Sequence, residues 1–327
     1  MEKKKICLFS KSNDDERFLF QEILGERYDI AFLDWETLRG GELITRIDPK
    51  SERVFLERDE MWRLSDFDVL HVLSMGKFEK KERDVALFFN TLEQMTSKRI
   101  KPPFMINPPR VMMKNLNKSY LVELQENSIS TIPTVELKVY TPREEIIKRV
   151  QEKSKGSLED VVLKPKIFGE RANSVIRLNE TDDSNLEGYF LENKSRGVLA
   201  QAFIPDVELY HERSLVYVSR KFSHAALRYR GEGWLPPTGT LGRLPEKIKP
   251  SKQELKVCEK ILDFKGKNYA PITRFDVIGR RDFPMISEVE EINPSIYLSR
   301  LPDSDLIKFF ELYQKGIEEY FSGKFTA

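Results

Sequence analysis

Residues Arg274 to Ser295 read RFDVIGRRDFPMISEVEEINPS. Strand alternation places Arg274 and Asp276 on one face of RFDVI, with Phe275 and Val277 on the other. The same rule puts Glu288 and Glu290 together in ISEVEE. If GRRDFP is the turn between two paired strands, Asp276, Glu288 and Glu290 converge on one point. Three carboxylates in a partly dry site repel by several kcal/mol at an effective dielectric of about 20. Each then takes up a proton unless a cation is present. Hard oxygen ligands of this kind suit magnesium, which keeps waters and bridges to nucleotide phosphates. The spacing equally describes a solvated hairpin whose acids pair with Arg274, Arg280 and Arg281, and it leaves both readings open.

The rest of the chain bounds the choice. At 327 residues it is long enough for two or three packed subdomains and a large core. Its 54 lysines and arginines nearly cancel 53 aspartates and glutamates, so no summed field points to nucleic acid or to an anionic membrane. No run approaches the roughly 18 apolar residues of a membrane span. The opening MEKKKICLFS reads as a first strand rather than a signal peptide. Cys7 and Cys258 stand far apart without metal-ligand spacing, which predicts buried, reduced thiols and a cytoplasmic protein.

The first hundred residues alternate strand and helix patterns. KICLFS and YDIAFLD flank a helical stretch from about Arg17 to Gly25; DVLHVLSMG precedes an amphipathic run from Phe78 to Met95; PFMINPP closes the unit. This predicts a mostly parallel sheet with helices on its faces. A helix follows with Asn117 as its expected N-cap, then an extended STIPTVEL and another helix from TPREEI. The centre changes character: DVVLKPK, SVIRLN, VLAQAFI, RSLVYVS and FSHAALRY are short strands that predict antiparallel sheet. A helix is expected from Ser251 to about Asp263, and DSDLIKFFELYQKGIEEYF forms a terminal amphipathic helix.

Several basic residues bear on the acidic hairpin. Lys118 sits at a helix start, and Lys164 lies inside the apolar VVLKPK, where a lysine is costly unless it snorkels or meets an anion. Gly169 lies in a strand-joining loop that can fold over phosphates through backbone N–H groups. Arg213 and Arg228 occupy successive strands. In this order, a helix-start lysine, a strand lysine followed by proline, a glycine loop, QAFI with a downstream glutamate, two arginine-bearing strands and then aspartate, turn and EVE resemble the ATP-grasp superfamily over roughly residues 105 to 320. Within it the chain is similar to the RimK and glutathione-synthetase type of carboxylate-amine ligases. The stretches FIPDVELYHERSLVYVSRKFSHAALR and EVEEINPSIYL look most like the ring-closing ligases of cycloserine biosynthesis.

The resemblance implies an α/β and α+β architecture: an ATP-grasp fold behind an N-terminal Rossmann-like parallel-sheet domain. The expected parts are residues 1–108, a small lid subdomain at 109–200 and a catalytic subdomain at 201–327. It implies that Lys118 and Lys164 contact ATP phosphates and that Gln201 opens a segment whose backbone at Ala202, Phe203 and Ile204 meets the adenine. Glu208 or Glu212 would meet the ribose. Arg213 and Arg228 would neutralise the transferring phosphoryl group, Arg228 standing where a lysine is expected. Asp276, Glu288, Glu290 and Asn293 would hold Mg2+, with two ions expected and Mn2+ an alternative. Because EINPS also fits the superfamily's metal motif, an offset register would use Glu291 and Asn293 instead.

Two departures stand out. The phosphate loop has Asn173 and Ser174 where a second glycine is usual, and the loop RYRGEGWLPPTGTLGRLP differs from the acceptor loop of RimK relatives. Arg230, Trp234 and Arg243, with Gly76 of the first domain, are therefore the expected substrate contacts. The implied reaction activates a carboxylate as an acyl phosphate and joins it to an amine, or less often a thiol, releasing ADP and phosphate. The partners are small-molecule carboxylate and amine substrates, with no nucleic acid and no membrane; a homodimer is left open. An ATP-grasp kinase and a non-catalytic ATP-binding protein are the competing readings. His224, on a strand beside Ser223, is expected to be core.

Overall fold

The structure is a computed structural model, and it describes residues 2–10, 14–34, 53–55, 61–63, 66–74, 82–97, 103–154, 156, 158–167, 174–229, 245–267 and 269–323. The first part is parallel, as the strand-helix alternation predicts. Strands β1 (Lys4–Ser10), β2 (Tyr28–Asp34), β5 (Val69–Val72) and β6 (Phe104–Ile106) form a four-stranded sheet in the order β2-β1-β5-β6, with every pairing parallel. Helix α1 (Asp15–Leu24) and helix α2 (Glu82–Ser97) cover opposite faces. Alternation along β1 sorts them: Ile6 and Leu8 pack with Phe20 and Leu24 of α1, while Cys7 and Phe9 pack with Val85, Phe88 and Leu92 of α2. Strands β3 (Arg53–Phe55) and β4 (Met61–Arg63) make a separate antiparallel pair.

Two antiparallel sheets follow. Helices α3 (Pro109–Asn115) and α4 (Tyr120–Glu126) lead into β7 (Thr134–Leu137), α5 (Arg143–Lys153), β8 (Val161–Pro165), β9 (Ile176–Arg177), α6 (Asp183–Glu192) and β10 (Val198–Ala202). The four strands form a sheet in the order β7-β10-β8-β9. Ile146 and Val150 of α5 and Leu186 and Phe190 of α6 share its core. Beyond the short helix α7 (Val207–Tyr210), β11 (Glu212–Val218), β12 (Lys221–Arg228), β13 (Glu246–Lys247), β14 (Ile272–Ile278) and β15 (Met285–Glu290) form the sheet β13-β12-β11-β14-β15. Helix α8 (Lys252–Lys265) lies on its back face, where Val257, Cys258 and Ile261 meet Leu215, Phe275, Val277 and Val289. Ser251 starts α8 with a reciprocal capping box to Glu254.

The C-terminal helix α9 (Asp303–Phe321) joins the sheets. Its Phe309, Phe310, Tyr313 and Ile317 are buried against Ile6 and Leu8 of β1 and against Val216, Val218 and Ile272 on the front of the five-stranded sheet. His71 and His224 are buried beside this aromatic cluster, and Cys7 and Cys258 are buried free thiols. No helix among the described residues is long and apolar enough to cross a membrane.

Candidate functional site

The hairpin that the opening stretch predicts exists, and its register decides what faces what. Asp276 pairs with Glu288 and Arg274 with Glu290 across β14 and β15, with a shift in register after Asp276. On the other side Ser214 pairs with Asp276 and Val216 with Arg274. Ser214, Asp276 and Glu288 thus form one row on the front face, and Val216, Arg274 and Glu290 the next. The turn begins at Gly279, whose positive φ of 79° suits a residue without a Cβ. Ser287 Oγ donates to the Asp276 carbonyl at 3.0 Å, closing the ladder at the irregularity.

β15 is an edge strand, and three side chains fasten it. Asn115 donates to the Val289 carbonyl at 2.8 Å and accepts the Glu291 N–H at 2.9 Å. The Tyr120 hydroxyl sits 3.0 Å from both the Val289 carbonyl and the Val289 N–H. Asn107, left-handed at φ 61°, donates to the carbonyls of Ile272 and Glu291 and accepts the Ile272 N–H. The acids of β15 are therefore held by the segment that enters from the parallel sheet.

Cations from three elements meet these acids. Lys118 Nζ lies 3.4 Å from Glu288, with side-chain exposures of 12% and 31%. The Lys118 N–H donates to the Lys166 carbonyl at 2.8 Å, which ties the lysine to the end of β8. Lys164 of β8 reaches the Ser287 carbonyl at 3.3 Å. Burial pulls its ammonium down to about 8 against the opposing pull of Glu288. Arg228 bridges Glu212 and Asp276, the latter at 3.4 Å. Arg274 holds both Asp276 oxygens, Nε and Nη2 each at 2.9 Å, and Ser214 Oγ donates to the same carboxylate at 2.7 Å.

The electrostatics follow from these contacts. Burial raises the Asp276 carboxyl, but Arg274 and Arg228 outweigh it and hold the group below the usual carboxylate range. Glu288 is likewise raised by burial and carried below its ordinary value by Lys118 and Lys164. Glu290 goes the other way, pushed up by burial and by the charge of Glu288. Burial and the neighbouring like charge thus disfavour the ionised form of Glu290. The donor set, hard oxygens beside lysines and arginines, fits a divalent cation carried with phosphates. Among the described residues no three His, Cys, Asp or Glu side chains stand ready as a cation cage. The acids are instead engaged by the protein's own cations.

Several expected site residues lie elsewhere than the sequence suggests. Arg213 is on the back face: it pairs with Glu254 of α8, and its remaining donors reach the carbonyls of Tyr210, His211 and Gly279. Alternation along β11 sends Glu212 and Ser214 forward and Arg213 backward, so its expected role at the transferring phosphoryl group is corrected to a structural one. Glu291 points to Lys265 of α8, away from Asp276, which removes it from the offset register. Asn293 is half-buried in the loop after β15. Asn117 does not cap α4, which starts at Tyr120; its side chain accepts the Ser119 N–H at 3.0 Å instead.

The expected base-binding segment is partly committed. The Gln201 side chain is buried and donates to Thr134 Oγ1 at 2.9 Å. The N–H groups of Ala202 and Phe203 bond to the carbonyls of Pro133 and Asp160, which leaves that of Ile204 without an acceptor among the described residues. Glu208 is exposed on α7, whereas Glu212 is buried beside Arg228. Sequence reasoning missed Arg274 as a member of the site and Ser214 altogether. Strand alternation within RFDVI could have found Arg274, whereas Ser214 emerges only from its pairing with Asp276. Gly76, Gly169, Asn173, Arg230, Trp234 and Arg243 lie outside the described residues.

No family model matches the sequence, and no curated protein matches it. Solved structures align over nearly all of it. D-cycloserine synthetase DcsG shares 17% identity at a TM-score of 0.69, covering 96% of this chain and 99% of that one. D-alanyl-alanine synthetase A from Vibrio cholerae O1 shares 11% at a TM-score of 0.64, covering 98% and 100%. The ATP-grasp ligase PsnB, solved with a phosphomimetic variant of its minimal precursor, Mg and ADP, shares 12% at 0.59, covering 96% and 100%. Parallel sheet, two antiparallel sheets and this near-complete alignment together give one conclusion: the chain has the ATP-grasp fold.

Proposed function

We propose that the protein is an ATP-dependent ligase that activates a small-molecule carboxylate as an acyl phosphate and joins it to an amine. The observation that carries this reading is that Lys118, just before α4, and Lys164, on β8, both reach β15 opposite Asp276, the first at Glu288 and the second at the neighbouring Ser287 carbonyl. Solved proteins of like fold include, by name, the ATP-grasp ligase PsnB, a D-cycloserine synthetase and a D-alanyl-alanine synthetase. In the proposed arrangement Lys118, Lys164 and Arg228 bind phosphate oxygens, the Ile204 N–H meets the base, and Glu212 rather than Glu208 faces the ribose. Asp276, Glu288 and Glu290 are the proposed magnesium ligands, with Asn293 in reserve. Bound magnesium would neutralise developing charge on the phosphates.

The protein's part in such a reaction is positioning and charge neutralisation, since phosphoryl transfer asks little covalent chemistry of the enzyme. Arg228, which spans Glu212 and Asp276, would follow charge onto the transferring group, and the fastening of β15 by Asn115 and Tyr120 would keep its acids in place. The three-part division at residues 108 and 200 and a cytoplasmic setting belong to the same reading. The test is product analysis with purified protein, Mg-ATP and a panel of amino acids and small dicarboxylates. ADP, phosphate and a new amide are expected. A stable phosphoester would make the protein a kinase, and nucleotide binding without metal-dependent turnover would remove catalysis.

A further inference from the structure

Among the described residues, the charges that line the cleft balance one another. Glu212, Asp276, Glu288 and Glu290 meet Lys118, Lys164, Arg228 and Arg274, four acids against four bases. The neighbouring Glu291 has its own partner in Lys265 and stands apart. The pairing is also specific. Arg274 grips Asp276 through two hydrogen bonds of 2.9 Å, Lys118 faces Glu288 at 3.4 Å, and Arg228 spans Glu212 and Asp276.

A divalent cation entering alone must take Asp276 from Arg274 and Glu288 from Lys118. It then leaves two cations without partners in a partly dry cleft, which is the costly way to break a buried ion pair. A triphosphate entering alone meets four carboxylates at close range. Entering together they exchange partners: the metal takes the carboxylates, and the phosphates take the released lysine and arginines. A triphosphate carries roughly four negative charges, which two divalent cations cancel, so the joint occupant preserves the balance of the cleft.

We infer that this site binds divalent cation and nucleotide only as a pair, with Arg274 and Lys118 serving as resident counter-ions that exclude either one alone. The inference rests on the nucleotide-binding reading above and adds to it a dependence of each ligand on the other. Both residues act through Asp276 and Glu288, so they are positioning residues in this respect, and removing either positive charge should strengthen binding of free metal.

The test is titration of Mn2+ into nucleotide-free protein, followed by calorimetry and by the electron-spin signal of free Mn2+, then repeated with the non-hydrolysable analogue AMP-PNP. Wild-type protein should bind Mn2+ alone at least about a hundredfold more weakly than with the analogue present. Lys118→Met and Arg274→Gln should each tighten binding of Mn2+ alone by about tenfold or more while weakening AMP-PNP. Thermal melts establish that each variant is folded; should Arg274→Gln unfold, Lys118→Met, at the cleft edge, decides. Equal affinity for Mn2+ with and without AMP-PNP, or no gain in the folded variants, overturns the inference while leaving nucleotide binding intact. Failure of wild-type protein to bind AMP-PNP with Mn2+ overturns instead the nucleotide reading on which it rests.

Discussion

The two faces of the five-stranded sheet each carry an arginine paired with a glutamate, buried on the back and half-buried on the front, and they use it differently. On the back face Arg213 and Glu254 form a closed pair: the guanidinium is used up by one carboxylate and three carbonyls, and α8 covers it. On the front face Arg228 divides itself between Glu212 and Asp276 in a cleft that also holds Lys118 and Lys164. The same residue type on adjacent strands is a bolt in one case and, in the function proposed above, a phosphate-binding group in the other. What separates them is whether every donor already has a fixed partner.

This contrast breaks most visibly at the front. Asp276→Asn or Glu288→Gln should lower ATP turnover by about a thousandfold or more, because in the proposed site these acids would hold the magnesium that stabilises charge on the transferring group. The protein should keep its circular dichroism spectrum and a cooperative melt. Full activity in purified Glu288→Gln protein would place the chemistry elsewhere. At the back the expectation reverses. Arg213→Met leaves the buried Glu254 with the more distant Arg281, at 3.8 Å, in place of its close partner and should cost about 3 kcal/mol in urea unfolding, while any folded fraction should turn over ATP at a near-normal rate per molecule.

A smaller effect sharpens the comparison at the closed end of the front face, where α9 covers the sheet. Ser223 Oγ bonds His224 Nδ1, and His224 Nε2 lies 2.7 Å from the Ile296 carbonyl. Burial lowers this imidazole from 6.5 to about 4, although the Ile296 carbonyl and Asp305 favour the charged form. His71, buried near Tyr313, is lowered to about 3. A group whose folded value is depressed binds fewer protons folded than unfolded between the two values. Its contribution is complete above 6.5 and is lost as pH falls toward 4. The ceiling for His224 is about 3 kcal/mol. Unfolding free energies measured between pH 7 and pH 4 should fall, and His224→Gln should flatten part of that slope while His71 maintains the rest. An unchanged slope in the variant would show that His224 does not titrate with folding.

Some of this was legible in residue order. Alternation in RFDVI and ISEVE correctly grouped Asp276 with Arg274 and Glu288 with Glu290, because a strand has only two faces and local pattern assigns them. The parallel character of the first sheet was equally readable, since strands separated by helices leave few other topologies. Arg213 was misassigned for a related reason: alternation was applied within one strand but not between β11 and its neighbours, and only the pairing of Ser214 with Asp276 reveals which side of β11 is the cleft. The start of α4 at Tyr120 rather than after Asn117 accompanies a bond from the Lys118 N–H to the carbonyl of Lys166, the residue that follows β8.

The sequence by itself determined the alternation of elements, the face each acid occupies on its own strand, and the order of lysines, arginines and acids that resembles the ATP-grasp pattern. Tertiary structure alone decided which cation meets which acid: that Lys118 reaches Glu288, that Arg274 folds back onto Asp276, and that Glu291 and Arg213 turn away to α8. The reason is physical. Periodicity is a property of the local backbone, whereas the choice of partner for each charge depends on register, helix packing and burial, none of which any single segment specifies.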